Sequence, residues 1–240
     1  LLNYLVLCPR EHRRDICTRI LRVVEKFSPD DRWRVDTLIT MLTIAGREAS
    51  RDVQSATIIY ISRSPADIHA YATHKLVKAI RDDDGSQRGL LVVGIWCIGE
   101  YGDLLLSPYT YTPNDGTGVS ITFMALDCIS VVQAVKSVVE RHSCPLYIKE
   151  RALTTFAKLS DRFSDKGDAA ALESIQKLIK KHDMSHSLEL QLRACEYDSL
   201  INACKGIKTK ITKKGAEEGR GDDRRHLIAL LHHGEATNVG

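Results

Sequence analysis

His182 and His186 stand four residues apart, a spacing that sets two imidazoles on one side of a helix, where a metal ion could bridge them. A protein metal site needs a third and usually a fourth ligand, and the neighbouring sequence supplies none. Ser185 and Ser187 also mark this stretch as a loop or cap rather than a continuous helix. His69 with His74, and His232 with His233, meet the same objection. The seven cysteines (Cys8, Cys17, Cys97, Cys128, Cys144, Cys195 and Cys204) are odd in number and scattered, with no Cys-x-x-Cys pair. They read as small hydrophobes of a reducing compartment, not as a disulfide frame or a metal cage.

Gly94, Gly99 and Gly102 invite comparison with a phosphate-binding loop. That motif needs GxGxxG between a strand and a helix, and both spacing and context fail here. Close approach of a neighbouring helix is the expected role of these glycines. Glu100 and Asp103 are two acids one helical turn apart, but no His, Lys or nucleophile completes a catalytic pattern beside them. Helix capping or a salt bridge between repeats is expected instead. Arg10, Arg13, Arg14, Arg19, Arg22 and Lys26 form a basic run that reads as a solvated helix face, with contact to anionic lipid or an acidic partner as its functional alternative. Lys177, Lys180 and Lys181 read the same way, and Arg220-Gly221-Asp222 reads as chance. The sequence therefore assigns no catalytic residue, no cofactor-binding residue and no metal ligand, and the chain reads as a non-enzyme.

The elements that would carry these residues are helical. Leu90 to Ile98 is an uncharged apolar run, shorter than the roughly 20 residues that cross a bilayer, so it must be buried as an inner helix or a central strand. The 240 residues are 43% hydrophobic, 27% charged and only 6% aromatic, a globular composition that favours helix over sheet. The net charge of +3 lacks the dense basic footprint of a nucleic-acid binder. No leader or spanning segment is evident, and the start inside the apolar stretch Leu1 to Leu7 reads as a cut from a longer protein.

Apolar stripes at helical spacing are separated by short polar breaks. Ile16, Ile20, Val23, Val24 and Phe27 form one, stopped at Ser28-Pro29, where Ser28, Asp30 or Asp31 can cap the next helix. Val35, Leu38, Ile39 and Leu42 follow, ending near Gly46; then come Val53, Ala56, Ile59 and Tyr60, and after Pro65 the set Ile68, Tyr71, Ala72, Leu76 and Ile80. The long break from Ser107 to Ser120 reads as a surface loop. Phe123, Leu126, Ile129, Val132, Val135 and Val139 resume the spacing, Pro145 opens another helix, and Asp168 caps the one after it. Leu190, Ala194, Tyr197, Ile201 and Cys204 close the series as a strict seam. Nine or ten consecutive helices with no competing strand predict an all-α fold, an α-α superhelix of HEAT or armadillo type, with Leu90 to Ile98 as an inner helix. Residues 1–205 form the repeat domain. Residues 206–240 alternate charge and glycine and read as a flexible linker, with Leu227 to His233 as a short apolar tail.

The segment Trp96 to Asp103, WCIGEYGD, closely resembles the corresponding helix of the gamma-adaptins, the large subunits of clathrin adaptor protein complex 1. Three further stretches match in the same order: Val24 to Gly46, Asp67 to Ile80 with its His-x-Tyr helix, and Leu188 to Ile201 with a Leu-Gln-x-Arg-x-x-Glu-Tyr signature. The alpha chain of the endocytic adaptor tends to Leu-Gly-Glu-Phe-Gly where this chain has Ile98 to Gly102, and beta-adaptins more often have Gly-Glu-Tyr-Ala. The gamma type is therefore the better match, with the alpha chain, coatomer and a HEAT scaffold of nuclear transport or nucleic-acid assemblies as alternatives. Two departures stand out: the loop after Asp103 lacks the family's usual acidic stretch, and after Cys204 the family's closing helix gives way to a lysine-rich segment.

The resemblance implies the C-terminal part of an adaptin trunk, a scaffold for the small, medium and beta subunits in sorting between trans-Golgi network and endosomes. It further implies an Arf-family GTPase and clathrin as partners of the whole complex, and a cytoplasmic, membrane-peripheral location at the Golgi and on coated vesicles. Contact with anionic membrane is compatible with it, and nucleic acid is not expected. No cofactor is implied. The family's cargo and GTPase contacts lie mainly towards the N-terminal trunk, so no binding residue carries over.

Overall fold

The computed structural model describes residues 2–113 and 119–214, with side chains described as far as residue 205. Ten α-helices run through the described residues: α1 (Leu2–Leu7), α2 (Arg10–Phe27), α3 (Asp31–Ala45), α4 (Arg51–Arg63), α5 (Ala66–Asp82), α6 (Arg88–Tyr101), α7 (Cys128–Val139), α8 (Leu146–Phe163), α9 (Ala169–Lys180) and α10 (Leu188–Lys214). A single hairpin, β1 (Tyr109–Tyr111) antiparallel to β2 (Ile121–Phe123), interrupts them.

Local chemistry sets the helix boundaries, at α3 and α9 as the sequence predicts. Asp30 caps α3 by accepting from the Trp33 amide at 2.7 Å, Ser50 caps α4 through Val53 at 3.3 Å, and Asp127 caps α7 through Ser130 at 3.1 Å. Asp168 accepts from the Ala171 amide at 3.0 Å ahead of α9. Pro65 and Pro145 sit immediately before α5 and α8, where a missing amide proton costs nothing. Gly46 ends α3 at φ 59°, a conformation that a side chain resists.

The chain divides into two compact units, Leu1–Leu178 and Ile179–Gly240. In the first, α1, α3, α5 and α7 pack in succession as one layer, and α2, α4, α6 and α8 pack in succession as the other. This alternation of helices between two layers is the HEAT-like all-α stack that the stripes predict. In the second unit, Leu190, Ala194 and Ile201 of α10 are buried, and Tyr197 and Cys204 of the same seam are half-buried.

Helix α6 is the inner helix, packed against α3, α4, α5, α7 and α8. Together with the 3-10 turn Gly102–Leu106 it makes a 19-residue helical stretch, long and apolar enough by length and composition to cross a membrane, where the sequence run alone reads as too short. Two-thirds of it (67%) is buried inside the protein, as in a core helix. The glycines permit this crowding. A Cβ on Gly89 would lie 2.6 Å from the Cβ of Ala49, and one on Gly102 would lie 2.5 Å from Leu159 Cδ2. Gly94 meets Ile80 in the same way, so the reading of Gly94 and Gly102 as packing positions holds, and Gly89 joins them.

Four expectations need correction. Ser107 to Ser120 is not purely loop, because it holds β1 and leads into β2. Phe123 and Leu126 are not helical: Phe123 closes β2, Leu126 spends its amide on the Leu105 carbonyl at 2.8 Å, and α7 starts only at Cys128. On α2 the stripe is narrower than its spacing suggests, since Ile20 and Val24 are buried while Val23 and Phe27 are exposed. Helix α10 continues to Lys214, past the 205/206 boundary; the rest of the expected linker, including Leu227 to His233, lies outside the described residues.

Candidate interaction surface

Glu100 and Asp103 are brought together with Lys158 and Arg162 from α8. The Lys158 ammonium pairs with Glu100 Oε1, and the Arg162 guanidinium donates to the Gly99 carbonyl at 2.9 Å and to Asp103 Oδ1 at 3.0 Å while standing 3.5 Å from Glu100. Lys158 is 5% exposed as a side chain and Glu100 14%. Charges this enclosed persist only when paired. The acids thus form salt bridges to the next helix of the same layer, as expected. The motif's neighbour Cys97 is wholly buried, and burial pushes its thiol well above the ordinary range.

Among the described residues no three His, Cys, Asp or Glu side chains gather in a metal-binding group. His182 and His186 lie outside helices, in the turn ahead of α10. His232, His233 and Arg220-Gly221-Asp222 lie outside the described residues. All seven cysteines are free, with Cys8, Cys17, Cys97 and Cys128 buried. On α2, Arg10, Arg14, Arg19, Arg22 and Lys26 are exposed, but Arg13 turns inward to donate to the Ile44 and Val6 carbonyls, each at 3.3 Å. Glu11, Asp15 and Glu25 are exposed on the same helix, and Asp15 pairs with Arg19 at 2.9 Å, so the face is basic with acids mixed in. Lys177 pairs with Glu173 at 2.7 Å, and Lys180 lies 3.7 Å from Asp198.

The most organised surface is built by the hairpin. The hairpin lays one face, Tyr109, Tyr111 and Phe123, over α5, where Tyr71 meets Tyr111 edge-on at 4.9 Å and His74 stacks on Phe123 at 5.5 Å. Such aromatic pairs add about 0.5–1.5 kcal/mol each beyond area burial. Polar contacts fix the register. Tyr109 Oη donates to Asp67 at 2.7 Å, Arg32 of α3 pairs with the same carboxylate at 2.8 Å, and the Arg32 guanidinium sits 5.6 Å from the Tyr111 ring centre. The hydrogen bond from Tyr109, followed by that from Arg32, pulls the Asp67 carboxyl below its usual range, and burial first, then the bond to Asp67, pushes the Tyr109 phenol up to about 12. None of these groups is prepared for proton transfer near neutrality. What the arrangement does is hold a hairpin rigidly on a helical surface. The alternating Tyr-Thr-Tyr and Ile-Thr-Phe on either side of Pro113 and the residues after it is the signal that could have revealed it.

His74 makes this seat sensitive to pH. It is 5% exposed, one ring nitrogen serves the backbone at Ser107 and Leu104, and Nε2 is buried with no partner among the described residues. Burial depresses its pKa below the ordinary value of about 6.5. Above that value both folded and unfolded chains hold the ring neutral and stability is unaffected. As pH falls below it, the unfolded chain takes up the proton first, so stability declines. Asp67, also depressed, withdraws its contribution only at lower pH, as pH falls through its own folded value. Urea midpoints measured from pH 7.5 to 5 should therefore fall more steeply for the unaltered chain than for His74→Phe; parallel curves would remove His74 from the account.

Comparison with known proteins places this architecture. The family described as the adaptin N terminal region matches residues 1–205. The AP-1 complex subunit gamma of Dictyostelium discoideum is 34% identical over 84% of this chain, which spans 22% of that protein. The AP-1 complex subunit gamma-like 2 of Homo sapiens is 33% identical over 88% of this chain and 25% of its own length. The AP-2 complex subunit alpha-2 of Dictyostelium discoideum is more distant, at 26% over 84% of this chain and 18% of its own. The chain spans about a quarter or less of these relatives. Two-layer helical stacking, the Trp96 to Asp103 motif and the match over residues 1–205 agree that the chain belongs to the adaptin family, on its gamma-adaptin side.

Proposed function

We propose that this chain is part of the trunk of a clathrin adaptor large subunit of the AP-1 type, and that it acts as a scaffold and not as an enzyme. The observation that carries the reading is the two-layer stack of α1 to α8, which lies within the family match over residues 1–205. Stacked helix pairs supply extended protein-binding surface without any catalytic pocket. In this reading residues 1–205 hold the small, medium and beta subunits of the complex, and the residues from 206 onward lead into a linker. The complex sorts cargo between trans-Golgi network and endosomes, recruited by an Arf-family GTPase and bound to clathrin. It works on the cytoplasmic side of Golgi membranes and coated vesicles. The exposed cations of α2 supply a weak attraction to anionic lipid, on the order of 1 kcal/mol per residue near the surface. Identities of 29–34% to gamma chains against 26% to an alpha chain favour the AP-1 assignment over the endocytic one.

Co-expression tests this directly. A full-length gamma chain carrying this region in place of its own should co-purify with the small, medium and beta subunits. Recovery no better than that of a gamma chain with the region deleted would defeat the scaffold role.

A further inference from the structure

We propose that the outer edge of β2 is a docking strip that captures an extended, uncharged peptide of a partner protein by strand addition. Among the described residues β1 and β2 pair only with each other, and β2 has no strand or other backbone partner on its far side. A free strand edge presents a row of backbone N–H and C=O groups that another strand can satisfy.

The two edges of the hairpin are not equivalent. β1 is bounded by Pro108 and Pro113, which lack an amide donor and discourage pairing. From Val119 to Ala125 the β2 side has neither a proline nor a charge, the two devices by which edges are usually protected. Ile121 within the strand is 42% exposed and Met124 immediately after it 75%, apolar surface for side chains of an incoming strand. Thr122 faces outward and is tied to Thr110 across the hairpin, hydroxyl to hydroxyl, at 2.8 Å.

An isolated two-stranded hairpin is marginal in water. Here the inner aromatic face and the contact of Tyr109 with Asp67 keep it in place, so a partner binds without first ordering it. The absence of charge along the strip selects an uncharged peptide, because a buried carboxylate or ammonium would find no counter-ion there. The small size of the edge selects a short peptide over a second copy of the chain. A stable interface between two copies buries roughly 1,200–2,000 Å² in all, far more than a three-residue edge and two apolar side chains supply.

The full chain can be tested with an uncharged heptapeptide of alternating threonine and valine, capped at both ends, and with a glutamate-for-valine version as the control. The threonine–valine peptide should bind saturably and slow amide exchange in residues 121–124 by about tenfold, leaving β1 unchanged. Thr122→Lys, which installs the missing edge charge on an exposed residue, should weaken binding at least about tenfold with an unaltered melting temperature. Absence of binding, equal binding by the glutamate peptide or by the lysine variant, or protection elsewhere overturns the proposal. So does sedimentation of the free chain as a dimer that Thr122→Lys dissolves, which would make the edge a contact between copies. None of these outcomes depends on assembly with adaptor subunits.

Discussion

Glu100→Ala should destabilise the chain by about 3–5 kcal/mol, the usual cost of removing one partner from a buried ion pair. The size follows from what is left behind. Lys158 is 5% exposed, and the alanine takes away the carboxylate that its ammonium faces. Arg162 loses a second acceptor at 3.5 Å and keeps Asp103 and the Gly99 carbonyl. Most of the loss is thus the penalty of an enclosed cation, and not the net worth of the pair. That distinction is testable, because Lys158→Met in the Glu100→Ala background removes the enclosed charge while keeping much of the side-chain volume. The double variant should recover more than half of the loss in urea denaturation. A single-variant loss below about 1 kcal/mol, or a double variant worse than the single, would show that the pair is hydrated and unimportant.

The same network shows where the sequence was informative. Gly99, Glu100 and Asp103 are close neighbours in the chain, so their type and spacing could be read directly, and a bridge to another repeat was expected. Lys158 and Arg162 lie about sixty residues away, and nothing local singles them out from other cations on their helix. Helix caps were legible for a related reason. Asp30 and Asp168, both read as caps, each satisfy an amide three residues on, an interaction that lies wholly within a readable window, whereas Ser50 and Asp127 cap in the same way without being singled out by the sequence reading.

Burial was less legible. Val23 and Phe27 have the same spacing as Ile20 and Val24, and only the placement of neighbouring helices decides which pair is covered. The hairpin was missed because its strands are three residues long and Phe123 falls by coincidence in step with the stripe of α7. A short strand gives little periodicity, and this hairpin is held by contacts to residues 35 to 52 positions earlier, such as Asp67, Tyr71 and His74. The candidate surface therefore depended on tertiary contacts that no single segment announces.

Tyr71 is the residue on which that surface turns, and Tyr71→Ala should cost about 3–5 kcal/mol, as for other large aromatic truncations in a packed core. The ring is 1% exposed and lies within 6.4 Å, centre to centre, of Tyr109, Tyr111 and Phe123. Its hydroxyl donates to Asp36 at 2.7 Å, and burial, followed by that bond, pushes its pKa far above the ordinary tyrosine value. The Lys75 ammonium shares the Asp36 carboxylate at 2.6 Å and lies 5.3 Å from the ring centre. Tyr71→Phe keeps the ring and loses only the hydroxyl, so it should cost about 1.5–3 kcal/mol, towards the low end because Asp36 is 40% exposed. The two variants separate packing from hydrogen bonding in a second readout. In Tyr71→Ala the hairpin loses its seat, and limited chymotrypsin digestion should cut at Tyr109, Tyr111 or Phe123 at enzyme concentrations that leave the unaltered chain and Tyr71→Phe intact. Equal protease resistance in all three chains would mean that Tyr71 supports the helices alone, and that the hairpin is held by Asp67 and Arg32 without it.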